Sequence, residues 1–318
     1  MTSPLRSIHV VAAVITDVRG RILLNRRRGG SDMAGLWEFP GGKREPGETS
    51  EQALARELHE ELGIEAEVGE WLMDVPQVYP DKRLRLEVRR VHSWKGVARG
   101  REGQAITWVA ADKLSRYSMP PADLPVVAAL RQPDCYLVTP EPAADGAGQW
   151  LDALQSAPGS GIRRVQLRTP RFAGRAELAR QAVERLGNGI EILLNRDIAL
   201  ARELAVGVHL GAEQLSQLSH RPLPAYLPVG ASCHDLQQLR AAQQLGCDFA
   251  VLGPVQATAS HPGVTGIGWP EFERLREQVS LPIYAIGGLG MGDVGVARGH
   301  GGQGIAAIRA LWPGAVTG

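Results

Sequence analysis

The chain has three cysteines, Cys135, Cys233 and Cys247, and no two of them form a CxxC pair. An odd, scattered set excludes a disulfide framework and fits a reducing compartment. The chain also has almost no net charge, +1 over 318 residues. Without a basic excess there is no broad polyanion-binding surface, which argues against nucleic-acid polymers as partners. Long apolar runs are missing too. The one near the N-terminus, Val10 to Ile15, is too short for a signal-peptide core with its flanks or for a membrane span. A cytoplasmic protein with no membrane partner is expected. With 44% hydrophobic and 22% charged residues, the composition is that of a soluble globular protein, long enough for two domains.

The most informative stretch is Gly41 to Ile64, GGKREPGETSEQALARELHEELGI. Thr49 followed by Gln52 reads as a capping box, and Gly63 after Leu62 as a helix C-cap. Between them Leu54, Leu58 and Leu62 form one apolar stripe. Glu57, Glu60 and Glu61 fall at i, i+3 and i+4, on a neighbouring face. Like charges this close repel, so the helix gains nothing locally. A hard divalent cation turns that cost into a site, because Mg²⁺ takes oxygen ligands from carboxylates and substrate phosphates.

These residues resemble the Nudix box position by position: Gly42, five residues, Glu48, seven residues, Arg56-Glu57-Leu58, one residue, Glu60-Glu61, one residue, Gly63-Ile64. The resemblance is closest to the MutT type, whose members hydrolyse oxidised purine nucleoside triphosphates. It implies an α/β/α sandwich with a mixed sheet over residues 1–132, and Mg²⁺, with Mn²⁺ as the alternative, as cofactor. Glu57, Glu60, Glu61, the Gly41 carbonyl and Glu102 are then expected metal ligands. Glu57 and Glu60 carry the catalysis, with Arg56 orienting a box glutamate, most simply Glu60 at i+4. Glu48 is expected to support the loop–helix junction. Arg27 and Phe39 match positions near the nucleotide. Met119 to Pro125 resembles the segment that reads the purine edge, with Asp123 where MutT has asparagine. An ionised carboxylate accepts hydrogen bonds but cannot donate them.

Elsewhere in this half, Ile8 to Thr16 and Arg21 to Arg27 read as strands joined by a turn at Asp17 to Gly20, together a hairpin. Further strands are expected at Trp71 to Val78, at Arg83 to Trp94 and ending at Trp108-Val109. Val126 to Arg131 reads as a short helix and Gln132-Pro133-Asp134 as a linker.

Beyond the linker, short apolar strands alternate with helical patterns: CYLVT, RRVQLR, EILLN, GVHLG, LPVGAS, FAVLGPV, PIYAIGG and GIAAIRA. Such alternation means a parallel sheet covered by helices. About eight units is the count of a closed (β/α)₈ barrel, with an open doubly wound sheet as the alternative. A barrel places function at the carboxyl ends of the strands. Gly287-Gly288 and Gly301 to Gly304 would there let backbone N–H groups approach a phosphate.

Residues 135 to 312 resemble the thiamine phosphate synthase and TenI family of compact barrels. The matching pieces include Gln166-Leu167-Arg168, Gly207 to Gly211, Ser232-Cys233-His234 and Gly253-Pro254-Val255. The second domain is accordingly 133–318. The resemblance implies that Gln166 and Arg168 face a pyrimidine pyrophosphate, that Thr258 and Ser260 serve a thiazole phosphate, and that His234 transfers a proton as in TenI-type tautomerases. The departures are Asn195-Arg196-Asp197 for Asn-Asp-Arg and Ala212-Glu213-Gln214 for Gln-Glu-Asp, with lysines replaced near Arg171 and at His261. Losing two cations and a carboxylate removes stabilisation that a pyrophosphate leaving group requires. The expectation is a pyrophosphohydrolase acting on a small nucleotide such as 8-oxo-dGTP, joined to a barrel that turns over or senses a thiazole or thiamine phosphate. The alternative is a hydrolase for thiamine-related pyrophosphates.

Overall fold

A computed structural model describes residues 6–30, 32–257 and 265–314. The chain forms two compact units. The first runs to Gln132 and takes in residues 276–280 and 298–301; the second takes the remainder.

In the first unit the strands are Arg6–Ile15 (β1), Arg21–Arg26 (β2), Trp37–Glu38 (β3), Gly41–Lys43 (β4), Glu65–Glu67 (β5), Trp71–Val78 (β6), Lys82–Val91 (β7), Ser93–Lys95 (β8) and Ile106–Ala110 (β9). The helices are Ser50–Leu62 (α1) and Leu124–Arg131 (α2). They build a four-stranded mixed sheet, β4-β1-β7-β6, a three-stranded sheet, β3-β2-β9, and a β5–β8 pair. β1 is the organising strand because its alternate residues serve two cores. Val11, Ala13 and Ile15 pack with Leu54, Leu58 and Leu62 of α1. Ala12 and Val14 pack on the opposite side with Val126, Val127 and Ala129 of α2. Period-two alternation between two helix-covered faces makes the α/β/α sandwich.

The expected hairpin does not form. β1 and β2 meet only at an isolated bridge, Thr16 with Ile22, and then enter different sheets. The turn is real, with Asp17 Oδ1 accepting from both Arg19 N–H (2.9 Å) and Arg21 N–H (2.8 Å). β1 instead pairs in parallel with β7 along its whole length, a long-range match that a local turn signal does not disclose.

In the second unit, Cys135–Val138 (β10), Arg164–Leu167 (β11), Glu191–Asn195 (β12), Gly207–Leu210 (β13), Val229–Cys233 (β14), Phe249–Leu252 (β15), Ile283–Ile286 (β16) and Gly304–Ala307 (β17) close into a parallel barrel. Each lies within one of the eight apolar runs, except that β14 continues to Cys233. Helices Ala147–Ser156 (α3), Arg175–Leu186 (α4), Ile198–Glu203 (α5), Ala212–Gln217 (α6), Leu236–Leu245 (α7), Gly268–Arg276 (α8) and Val294–Gly299 (α9) lie between them. The open-sheet alternative is excluded by the β10–β17 pairing. The barrel is filled by Tyr136, Leu193, Phe249, Val251, Tyr284 and Ala306. Among the described residues no helix is long and apolar enough to cross a membrane.

Candidate active sites

Helix α1 begins as its sequence dictates. Thr49 Oγ1 accepts Gln52 N–H (3.2 Å), and Gln52 Oε1 accepts Thr49 N–H (2.9 Å). Gly63 ends it at φ 70°. Leu54, Leu58 and Leu62 are fully buried, so packing of the stripe fixes the glutamate face toward the strand β4 loop. Gly42 sits against that face: a Cβ there would lie 2.2 Å from the Glu57 carboxyl carbon. Gly41 is required for a different reason, since its own Cβ would fall 2.1 Å from the Val11 carbonyl oxygen.

Arg56 organises the cluster, but not chiefly through Glu60. Its Nε and Nη2 grip Glu48 at 2.8 and 3.0 Å, Nη1 reaches Glu57 at 3.0 Å, and Glu60 is its most distant partner at 3.4 Å. A guanidinium fork prefers the bidentate match with Glu48, which the i+4 expectation overlooked. That grip, with the Glu45 N–H, holds the Glu48 carboxyl down at about 2.

Among the described residues, the remaining carboxylates have no bidentate grip of this kind. Burial, then the charges of Glu38 and Glu57, push Glu61 up to about 8, opposed by a hydrogen bond from the Gly41 backbone. Burial also raises Glu57, with Glu60 and Glu102 adding to it against Arg56. Glu102 lies in the loop after β8, where Arg28 Nη1 donates to its carbonyl (2.6 Å) and stands 3.6 Å from its carboxylate. Among the described residues no three such side chains already converge as a ligand set. The charge of Glu102 nevertheless acts on both Glu57 and Glu61 to raise them, and Gly42 leaves room against Glu57. Hard oxygen donors crowded together in this way fit a divalent cation.

Beside this cluster opens a cavity of about 560 Å³ lined by Arg27, Glu38, Phe39, Gly41, Gly42, Glu61, Tyr79 and Asp123 among others. Arg27 Nη1 pairs with Glu38, and its Nε donates to the Asp32 carbonyl at 2.7 Å. The Phe39 side chain is buried in the α2-side core, and its N–H donates to Asp123 Oδ1 at 3.3 Å. Burial, then the Glu38 charge, pushes the Asp123 carboxyl up to about 7, against the Phe39 N–H and Arg27. Glu38 and Tyr79 escaped sequence reasoning. Glu38 directly precedes Phe39 in the sequence, whereas Tyr79 carried no signal.

In the second unit a cavity of about 1020 Å³ opens at the carboxyl ends of the barrel strands. Gln166, Arg168, His234 and Gly288 all line it, as do Asn195, His209, Ser232 and Arg309. Gln166 Nε2 donates to Asn195 Oδ1 at 2.9 Å. His234 Nδ1 lies 2.8 Å from the Gly253 carbonyl. A ring nitrogen facing a carbonyl must carry the proton, which leaves Nε2 as acceptor in the neutral ring. His209 and Ser232 were quoted only as pieces of motifs. Tyr136 Oη is 3.1 Å from His209 Nδ1, and His209 Nε2 is 2.9 Å from Ser232 Oγ. Burial, with Arg196 nearby, pushes His209 down to about 3, so its ring is neutral. Thr258 and Ser260 lie outside the described residues, as does His261.

The two rearranged motifs are spent elsewhere. Asp197 caps α5, accepting Leu200 N–H at 3.1 Å. Glu213 pairs with Arg196 at 2.8 Å.

A capped glutamate helix beside a nucleotide-sized cavity defines a pyrophosphate-bond hydrolase of the Nudix type, joined here to a (β/α)₈ barrel with a polar mouth. The NUDIX domain family model matches residues 11–129, and the Thiamine monophosphate synthase model (TMP-TENI) matches residues 135–311. A CTP pyrophosphohydrolase of Escherichia coli is 43% identical over 125 residues, 39% of this chain and 92% of that protein. An 8-oxo-dGTP diphosphatase of the same organism is 35% identical over 128 residues, 40% of this chain and 99% of that protein. A thiamine-phosphate synthase of Azorhizobium caulinodans is 34% identical over 184 residues, 55% of this chain and 85% of that protein. The chain thus belongs to both families, a Nudix hydrolase fused to a thiamine monophosphate synthase/TenI domain.

Proposed function

We propose that the N-terminal unit hydrolyses a nucleoside triphosphate to the monophosphate and pyrophosphate, with 8-oxo-dGTP as substrate. The observation that carries this is the cluster of Glu57, Glu61 and Glu102 beside a cavity that Glu61 and Asp123 both line. Glu57, Glu61, Glu60, Glu102 and the Gly41 carbonyl would hold Mg²⁺ or Mn²⁺. The bound ion supplies neutralisation of phosphate charge and a lowered pKa for water. Arg56 keeps Glu57 in place while Glu48 anchors Arg56 to the loop before α1. Phe39 N–H fixes one oxygen of Asp123, and the carboxyl reads the edge of the base. In its acid form Asp123 both donates and accepts, as the asparagine of the MutT pattern does, and this suits an oxidised purine.

A second reading follows from the same residue. Ionised, Asp123 only accepts, which suits the exocyclic amine of cytosine, and a relative named as a CTP pyrophosphohydrolase supports it. Thiamine-related pyrophosphates are the third candidate, favoured only by the fused barrel. For the barrel we propose binding of a small phosphate-bearing ligand such as a thiazole or thiamine phosphate. His234 Nε2 would be the proton acceptor if it acts as a tautomerase; otherwise the barrel acts as a sensor.

The test is side-by-side pyrophosphate release from 8-oxo-dGTP, dGTP and CTP, and phosphate release from thiamine pyrophosphate, by the parent and by Glu57→Gln. The expected result is preference for 8-oxo-dGTP and a loss of about a hundredfold or more in the variant, the scale on which one removed charge-stabilising group acts. Equal turnover by parent and variant would sink the proposal.

A further inference from the structure

Strand β2 buries Leu23 and Leu24 completely, and the next residue, Asn25, is 3% exposed. Alternation along a strand puts Asn25 on the face of Leu23, and Leu23 packs against Leu54, Leu58 and Leu62 of α1. An aliphatic side chain is what that environment favours. Instead, Asn25 Nδ2 points at Glu61 Oε2 from 3.5 Å. Its Oδ1 is buried and has no hydrogen-bond partner among the described residues. A buried amide with an orphan acceptor weakens the fold relative to an apolar residue of the same shape. Packing alone therefore gives no reason for Asn25.

The surroundings of Glu61 supply one. Its main-chain carbonyl is fixed by Arg101 N–H at 2.9 Å and by Gln104 Nε2 at 3.1 Å. Those bonds anchor the end of α1 and do not involve the carboxyl. The Gly41 backbone of β4 favours the charged form of that carboxyl, and the Asn25 amide of β2 lies 3.5 Å from it. The amide of Asn25 thus meets a carboxylate that also feels the charges of Glu38, Glu57 and Glu102.

We propose that Asn25 is a positioning residue for divalent-cation binding, holding the Glu61 carboxylate toward the cluster through its side-chain amide. The inference rests on the reading of Glu61 as a metal ligand. Groups in this supporting role are worth about tenfold or more in metal affinity.

The experiment is Mn²⁺ titration of the full chain followed by electron paramagnetic resonance, with thermal melting in chelator, for the parent, Asn25→Leu, Asn25→Thr and Glu61→Gln. Asn25→Leu is expected to melt at or above the parent temperature without metal, yet to bind Mn²⁺ about tenfold more weakly. Asn25→Thr, which keeps a donor, should fall between them and serves if the leucine variant folds poorly. Unchanged Mn²⁺ affinity in the Asn25 variants, alongside weakened binding in Glu61→Gln, overturns the role of Asn25 alone. Unchanged affinity in all three overturns the metal-ligand reading of Glu61 and this inference with it.

Discussion

Asp123 immediately precedes helix α2, with proline at the second helical position, the place where an aspartate ordinarily caps. It makes no side-chain cap bond; its carboxyl turns to Phe39 N–H and faces Glu38, Arg27 and Tyr79. Forgoing a cap is a cost that the cavity explains and the helix does not. The carboxyl is held at about 7, above its ordinary value near 3.8. A raised carboxyl lets the folded state keep a proton that the unfolded chain has lost, so stability falls as pH rises from about 4 to about 7 and is level above that. Asp123→Asn is therefore expected to raise the melting temperature most above pH 7, with the gain vanishing toward pH 4, measured by thermal melts across that range. The same titration should lower the ratio of 8-oxo-dGTP to CTP turnover as pH rises through 7 in the parent and leave it flat in the asparagine variant. A parent ratio independent of pH would show that Asp123 does not read the base.

At the scale of elements, the junction between β4 and α1 does the catalytic positioning. Gly42 is not at positive φ, so alanine strains no backbone there, but its Cβ would overlap the Glu57 carboxyl at 2.2 Å. The carboxyl is the far end of a flexible chain and can move. Gly42→Ala should thus lower kcat about tenfold or more with a melting temperature close to the parent's, since catalytic geometry is lost over shifts of an ångström. A variant with parental kcat would mean that Glu57 works from another position. This junction was largely legible in the sequence because its signals are local: the capping box, the C-cap glycine and glutamates at i, i+3 and i+4 each depend on neighbours within one or two turns. The barrel strands were legible for the same reason, as short apolar runs separated by helices. What escaped depended on distant pairing. The β1–β7 ladder, the grip of Arg56 on Glu48, the approach of Tyr79 to Asp123 and the buried placement of Asn25 beside Glu61 are all set by packing that no local period encodes.

Over the whole molecule, the two units differ in how fully they match the patterns they resemble. The sandwich keeps every glutamate of its box. The barrel has a large mouth with Gln166, Arg168, Asn195 and His234 on its wall, and two carboxylates of its departing motifs are already engaged. Asp197 is taken up as the cap of α5 and Glu213 by Arg196. A pyrophosphate leaving group carries concentrated charge that must be met by a cation or by a carboxylate-held metal. A phosphate monoester asks only for donors, and Arg168, with backbone N–H groups near Gly287 and Gly288, can supply those. The full chain incubated with pyrimidine pyrophosphate and thiazole phosphate is accordingly expected to give no thiamine phosphate, while calorimetry detects binding of thiazole phosphate or thiamine phosphate. Arg168→Ala should weaken that binding about tenfold, the loss of one charge-assisted contact. It should leave nucleotide hydrolysis unchanged, because Arg168 lines the barrel cavity and not the cavity beside Glu61. Steady formation of thiamine phosphate would instead show that the engaged carboxylates are not needed for transfer, and the barrel would then be a synthase despite its rearranged motifs.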